Sequence, residues 1–205
     1  IAISTSPATS RWLVIGIACA ALPWLSTKYA PMSATLIALA LARIFYAPGG
    51  SDARSALNAP NAQSALAVLV PYGVSLAAWF YFFYAYWGVP LPQAPYGALV
   101  QTSLRYAIFG APGLLFDQEY GLLPYAPVYI LAVTGLLVML RAEPASRRRA
   151  VEIILVFAAL LVTVGAFRIW WGGSASPGRP VTSGLLLLTI PIAFAFRRAA
   201  SAGAG

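Results

Sequence analysis

Long apolar runs, separated by short polar or proline-containing breaks, make up most of the chain. They predict six membrane-crossing helices, near residues 12–29, 32–47, 64–88, 120–140, 150–170 and 181–196. Most of these runs approach the roughly 20 residues that a helix needs to cross a bilayer. The pattern therefore predicts an all-α fold, a polytopic helix bundle that forms a single transmembrane domain over residues 1–205.

The breaks between the runs predict how neighbouring helices connect. Ala30 and Pro31 separate the first two runs, which predicts a tight hairpin with its turn at the proline. A polar stretch over residues 48–63 predicts a solvated connection. Prolines and glycines between residues 89 and 119 exclude a simple span, while apolar residues at helical spacing predict a short amphipathic interfacial helix near residues 96–109.

Composition excludes a soluble domain and several kinds of chemistry. Hydrophobic residues make up 60% of the 205 residues and charged residues 9%, against about 45–50% and about 25% in soluble proteins. The absence of histidine excludes histidine-ligated metal sites, Ser-His-Asp triads and histidine bases. The single cysteine, Cys19, excludes an intrachain disulfide. We expect no cofactor, because nothing in the sequence supports a divalent metal.

The net charge of +8 raises the question of nucleic-acid binding. The basic residues, however, are scattered or lie at the ends of apolar runs, where they orient a membrane protein. We therefore expect membrane lipids as partners, and no nucleic acid. Lys28 is the one lysine among 13 basic residues, and alanine is abundant. This usage is typical of a GC-rich bacterial genome, which predicts the inner (cytoplasmic) membrane as the location.

The distribution of basic residues also predicts the orientation. If six spans alternate from a cytoplasmic N-terminus, the cytoplasmic side receives Arg11, Arg43, Arg54, Arg141, Arg147, Arg148, Arg149, Arg197 and Arg198. The other side receives only Lys28, Arg105, Arg168 and Arg179. Nine basic residues against four satisfy the positive-inside rule. We expect both termini to be cytoplasmic.

The extracytoplasmic connections hold the candidate substrate-binding residues: Lys28, Tyr29, Arg105, Asp117, Glu119, Tyr120, Trp171 and Arg179. Ionisable groups near membrane depth indicate function, because they are costly there. Alternatively, the basic side chains contact lipid phosphates, and Asp117 caps a helix N-terminus. The flexible loop of residues 170–180 has glycines and ends near Arg179, a combination suited to a phosphate.

Three segments resemble a known family: residues 22–29 (LPWLSTKY), residues 113–123 (GLLFDQEYGLL), and residues 170–173 (WWGG) running on to residues 177–180 (PGRP). In this order they resemble the C-terminal half of bacterial multi-pass glycosyltransferases of the GT-C superfamily, relatives of dolichyl-phosphate-mannose-type and lipid A sugar transferases. The resemblance implies a polyprenyl-phosphate sugar as donor, transfer on the extracytoplasmic face, and inversion at the anomeric carbon. It also implies that Arg105, Arg179 and Lys28 stabilise the leaving lipid phosphate, while Asp117 and Glu119 contact sugar or acceptor.

The chain departs from this family in one respect. Family members carry a catalytic acidic residue in their first outer loop, whereas the turn from Lys28 to Pro31 has no carboxylate. We therefore expect the catalytic residue upstream of Ile1, in a longer protein of which this chain is a fragment. The alternative is a non-enzymatic multi-pass membrane protein, such as a transporter or an assembly subunit. Polar groups gathered at one interface, rather than at the midplane, favour the transferase.

Overall fold

The computed structural model describes residues 7–46, 59–96, 101–173 and 176–203. Within these ranges every extended regular element is a helix, which confirms the all-α fold. The chain forms two compact units, Ile1–Gly97 and Ala98–Gly205.

The described residues of the first unit form three α-helices. They are α1 (Pro7–Leu25), α2 (Ala30–Phe45) and α3 (Ala59–Trp87), with 3₁₀ turns at Thr27–Tyr29 and Ala94–Tyr96. The prediction of a turn at Pro31 was wrong, because α1 already ends at Leu25 and Pro31 lies in the first turn of α2. A proline is tolerated there, since its missing N–H has no partner in the first turn of a helix.

The core of the first unit lies between closely packed helices. Cys19, Ile37, Val68 and Tyr72 belong to one buried cluster. A Cβ at Gly16 would lie 2.7 Å from the Val68 carbonyl oxygen, so α1 and α3 approach each other nearly at backbone contact. Small residues permit such close contacts between helices in membranes.

A hydrogen bond between α2 and α3 is buried in this unit. The Ser33 hydroxyl donates to the Ala30 carbonyl at 2.8 Å, so its oxygen accepts the Tyr72 hydroxyl proton across 3.1 Å. We expect Tyr72→Phe to lower the free energy of unfolding by about 1 kcal/mol, the usual net contribution of such a bond. Melting of the purified variant in detergent measures this loss. Tyr81→Phe, whose side chain is exposed, is the matched control, and equal melting of both variants would contradict the prediction.

The second unit has three main helices and two that lie before them in the chain. The shorter pair are α4 (Leu104–Phe116) and α5 (Leu122–Tyr125); the main helices are α6 (Ile130–Arg141), α7 (Pro144–Gly165) and α8 (Leu185–Gly203). The 3₁₀ turns Pro127–Tyr129 and Arg179–Gly184 precede α6 and α8.

The three main helices alternate in direction. Met139 near the end of α6 and Ala150 near the start of α7 share a buried cluster, against which Phe194 of α8 packs. At the opposite end, a Cβ at Gly184 would lie 2.8 Å from Leu160 of α7. The start of α6, the end of α7 and the start of α8 therefore lie at one end of the bundle, which we call the turn end, and their other termini form the arginine end.

Several predicted boundaries in this unit were wrong, among them the span at residues 150–170, which is α7 and ends at Gly165. The span predicted at residues 120–140 is reduced to α6, because Pro124, Pro127 and the non-helical Ala126 (φ −137°, ψ 67°) break the helix before Ile130. The interfacial helix predicted near residues 96–109 is α4, which starts at Leu104 and runs to Phe116. Ser103 sets that start by accepting the N–H of Arg105 at 3.3 Å. Residues 97–100 of the predicted helix lie outside the described residues.

The charged loop predicted between the fourth and fifth spans is also shorter than expected. Pro144 already begins α7, so Arg147, Arg148 and Arg149 lie on this helix rather than in a loop. The polar connection predicted at residues 48–63 falls mostly outside the described residues, and α3 begins at Ala59.

In the described part of the chain, two helical segments are long and apolar enough to cross a membrane. They are Asn61–Trp87, of 27 residues, and Arg179–Ala200, of 22 residues. Only 17% and 22% of their most apolar windows are buried within the protein. Because the core helix of a soluble protein is mostly buried, these exposed apolar surfaces favour contact with lipid. Three further apolar helical segments among the described residues are shorter, with 10–17 residues each: Thr9–Leu25, Leu104–Phe116 and Pro127–Arg141. The full set of six spans therefore stays a prediction.

Candidate functional site

A polar turn joins α4 to α5 and contains three of the predicted site residues. The Asp117 carboxylate oxygen Oδ1 accepts the backbone N–H of Glu119 and that of Tyr120, both at 2.9 Å. The Asp117 carbonyl accepts the N–H of Gly121, also at 2.9 Å. Asp117 therefore caps this turn, whereas the alternative drawn from the sequence had it cap a helix N-terminus.

Glu119 and Tyr120 act on each other within the turn. A hydrogen bond to Glu119 raises the pKa of Tyr120 above its usual range, and the negative charges of Glu119 and Asp117 and the loss of solvent add to this effect. Tyr120 therefore keeps its proton at neutral pH and serves as a hydrogen-bond donor rather than as a base.

The loop that follows α7 meets this turn. The N–H of Gly178 donates to the Tyr120 carbonyl at 3.0 Å, and the rings of Tyr120 and Trp171 lie 6.3 Å apart. Gly178 has a φ of +69°, and a Cβ there would lie 3.2 Å from Leu122 Cδ1, so both backbone and space favour glycine. The two segments singled out in the sequence, residues 113–123 and 170–180, are thus neighbours.

Tryptophans fix the loop against α4. A Cβ at Gly113 would lie 2.5 Å from Trp170 Cη2, so only glycine lets the indole approach the helix this closely. Trp170 and Trp171 then meet edge to face, with ring centroids 5.6 Å apart. Arg179, which is exposed, follows directly after Gly178. We call the group of Asp117, Glu119, Tyr120, Trp171 and Arg179 the polar cluster.

Arg105 is not part of the polar cluster. It lies at the opposite end of α4 from Asp117, and 12 residues of helix span about 18 Å. The chain near Arg105 pairs instead with the segment after α7, where Ser103 N–H donates to the Ala166 carbonyl at 2.8 Å and Arg168 N–H to the Gln101 carbonyl at 2.7 Å.

Lys28 and Tyr29 belong to the first unit. Both lie on the 3₁₀ turn between α1 and α2, where the Lys28 ammonium sits 5.1 Å from the centroid of the Tyr29 ring. This cation–π contact orients the lysine along the aromatic face.

Sequence reasoning missed an apolar groove beside the polar cluster. The groove encloses about 260 Å³ and opens to the surface between α4, α5, α6 and α7. Phe116 and Leu122, the residues that flank the polar turn on either side, both line it, as do Ala132, Leu136 and Phe157. Nothing in the sequence marks these positions, because apolar residues that line a groove look like those of any membrane helix.

Among the described residues, no three or more of His, Cys, Asp and Glu lie close enough together to hold a metal ion. The cluster therefore offers acceptors (Asp117 and Glu119), a donor (Tyr120), aromatic faces and one guanidinium. Comparison of the chain with family models, curated proteins and solved structures found no match. The resemblance to GT-C glycosyltransferases accordingly stays a prediction from the residues quoted for it.

Proposed function

We propose that this chain is part of a multi-pass membrane glycosyltransferase, which transfers a sugar from a polyprenyl-phosphate donor at the extracytoplasmic face. One observation carries the proposal: the polar cluster lies directly at an apolar groove, since Phe116 and Leu122 belong to the groove and flank the turn. A lipid-linked sugar needs this combination, because its two halves differ sharply in polarity.

Each part of such a donor finds suitable chemistry here. The apolar groove accepts isoprenoid chain, and the Arg179 guanidinium suits the phosphate. The faces of Tyr120 and Trp171 suit the C–H faces of a sugar ring, while the carboxylates of Asp117 and Glu119 accept its hydroxyl protons. In transfer, the acceptor oxygen bonds to the anomeric carbon as the bond to the lipid phosphate breaks, and charge develops on that phosphate beside Arg179. The general base that takes the acceptor proton is not assigned to this chain.

The charges of the second unit support the orientation. Its arginine end carries Arg141, Arg147, Arg148, Arg149, Arg197 and Arg198, whereas the turn end carries Arg105, Arg168 and Arg179. By the positive-inside rule, the arginine end is cytoplasmic and the polar cluster faces outwards. In α6 and α8 charged residues occur only in the late turns, which favours interfacial chemistry over a transport path at the midplane.

Transfer of radiolabelled sugar from a long-chain polyprenyl phosphate by the full-length protein tests this function. We expect Ala158→Trp to lower kcat/KM at least tenfold, because the indole fills the groove that Ala158 lines. If the donor chain loses burial of only two methylene groups, at about 0.8 kcal/mol each, kcat/KM already falls by about tenfold. Leu155→Trp, on the exposed side of the same helix, is the control and should keep the rate.

The outcomes separate the site from the function. Unchanged transfer by Ala158→Trp would show that the groove does not hold the donor chain. Absence of transfer by the wild-type protein, across polyprenyl-phosphate sugars, would contradict the enzymatic proposal and favour a non-enzymatic membrane protein.

A further inference from the structure

The arginine end of the second unit concentrates positive charge from three helix termini. Its basic residues are Arg141 from α6, Arg147, Arg148 and Arg149 from α7, and Arg197 and Arg198 from α8. Packing brings these termini together, because Met139, Ala150 and Phe194 meet beneath them. The Arg147 side chain also links two of the helices, since its Nε donates to the Leu140 carbonyl at 3.0 Å.

The arrangement is electrostatically unfavourable for the protein alone. Helix α7 has no acidic residue in its first turn, and three consecutive arginines follow within the next turn. Glu143, the N-cap residue of α7, complements the positive end of the helix dipole, but three arginines also lie close to that end. Two carboxylates lie near, of which Glu152 pairs with Arg148 at 3.1 Å and Glu143 accepts the Ser146 hydroxyl at 3.0 Å. Six basic residues against these two acidic ones leave a strong excess of positive charge.

We propose that the arginine end binds the headgroup of an anionic diacyl phospholipid, such as phosphatidylglycerol. Guanidinium groups hold phosphate oxygens in paired, charge-assisted hydrogen bonds, and an anion near the start of α7 offsets the repulsion among the arginines. Exposed apolar side chains lie close in sequence to these arginines on each helix, namely Leu137 of α6, Val151 of α7 and Phe196 of α8. These side chains can contact the acyl chains of a phospholipid. A soluble phosphate has no acyl chains, so this apolar surface favours the lipid as the ligand. The site lies at the opposite end of the bundle from the polar cluster.

Lipid retention in nanodiscs tests this site independently of any sugar transfer. The full-length protein is reconstituted in phosphatidylcholine containing a minor fraction of phosphatidylglycerol, then extracted in detergent, and the lipid that stays bound is quantified by mass spectrometry. We expect enrichment of phosphatidylglycerol by the wild type, and at least a tenfold loss of this enrichment in the triple variant R147Q/R149Q/R197Q, since each basic residue contributes to attraction of an anionic headgroup.

Matched variants distinguish a site from a general effect of charge. R105Q/R168Q/R179Q removes the same net charge from the turn end and should keep the enrichment. R147K/R149K/R197K keeps the charge, and partial retention is expected because lysine lacks the paired geometry of arginine. Equal loss in both glutamine triples, or full enrichment in R147Q/R149Q/R197Q, would overturn the proposal. Displacement of the lipid by millimolar glycerol phosphate would also overturn it, in favour of a soluble phosphate ligand.

Discussion

Gly135→Val is expected to destabilise the second unit strongly. Helices α6 and α8 cross at this glycine, and a Cβ there would overlap the backbone carbonyl of Pro191. Backbone atoms cannot turn aside as a flexible side chain can, so the helices must separate. The separation opens the contact between Met139 and Phe194 as well. Overpacking of a tight core costs about 1–3 kcal/mol or more, and the loss here lies at the upper end.

The matched control for this prediction is Gly73→Val. Gly73 lies within α3 and a Cβ there would meet nothing within 4 Å. The same change in side chain at that position adds no clash, and it should leave melting close to that of the wild type. Fluorescence-detected size exclusion after heating measures both variants in detergent. Equal melting of Gly135→Val and the wild type would show that α6 and α8 do not pack through this glycine.

The helical class of the fold follows from the sequence because apolar runs of near-membrane length leave few other structures. The boundaries do not follow so directly, because a proline acts differently at different positions. Pro31 is compatible with the first turn of α2 and marks no break. Pro124 and Pro127, with Ala126 between them in a non-helical conformation, do interrupt the predicted span. Hydropathy treats both cases alike, since it does not record which N–H groups need a partner.

The candidate site was predictable as two segments but not as one place. The polar residues of 113–123 and the glycine-rich loop of 170–180 both stand out against their apolar surroundings. Their contact depends on Trp170 packing against Gly113 and on the Gly178 hydrogen bond to Tyr120, which join positions more than 50 residues apart in the sequence. Arg105 has the same chemistry as Arg179 in the sequence, and only the length of α4 separates it from the cluster.

Arg179→Gln is expected to lower sugar transfer by about 100-fold, the usual effect of removing one donor that stabilises developing charge. Arg179 follows Gly178, whose N–H donates to the Tyr120 carbonyl, so the backbone of Arg179 lies beside the polar turn. Glutamine keeps most of the side-chain length but loses the positive charge that the leaving phosphate needs. The loss should appear mainly in kcat, because the charge develops in the transition state. Arg168→Gln is the control, because Arg168 is also an exposed arginine in the segment after α7. This variant should transfer sugar at the wild-type rate.

Two substitutions at Asp117 separate capping from contact with substrate. Asp117→Asn keeps an oxygen that can accept the N–H groups of Glu119 and Tyr120, which are 2.9 Å from Oδ1 in the wild type, so melting should not change. The variant loses the negative charge, and we expect transfer to fall at least tenfold, since hydrogen bonds to a charged acceptor are about twice as strong as neutral ones. Asp117→Ala should lose both transfer and about 1 kcal/mol of stability. Wild-type transfer by Asp117→Asn would assign this carboxylate to the turn alone and leave Glu119 as the acidic contact for the sugar.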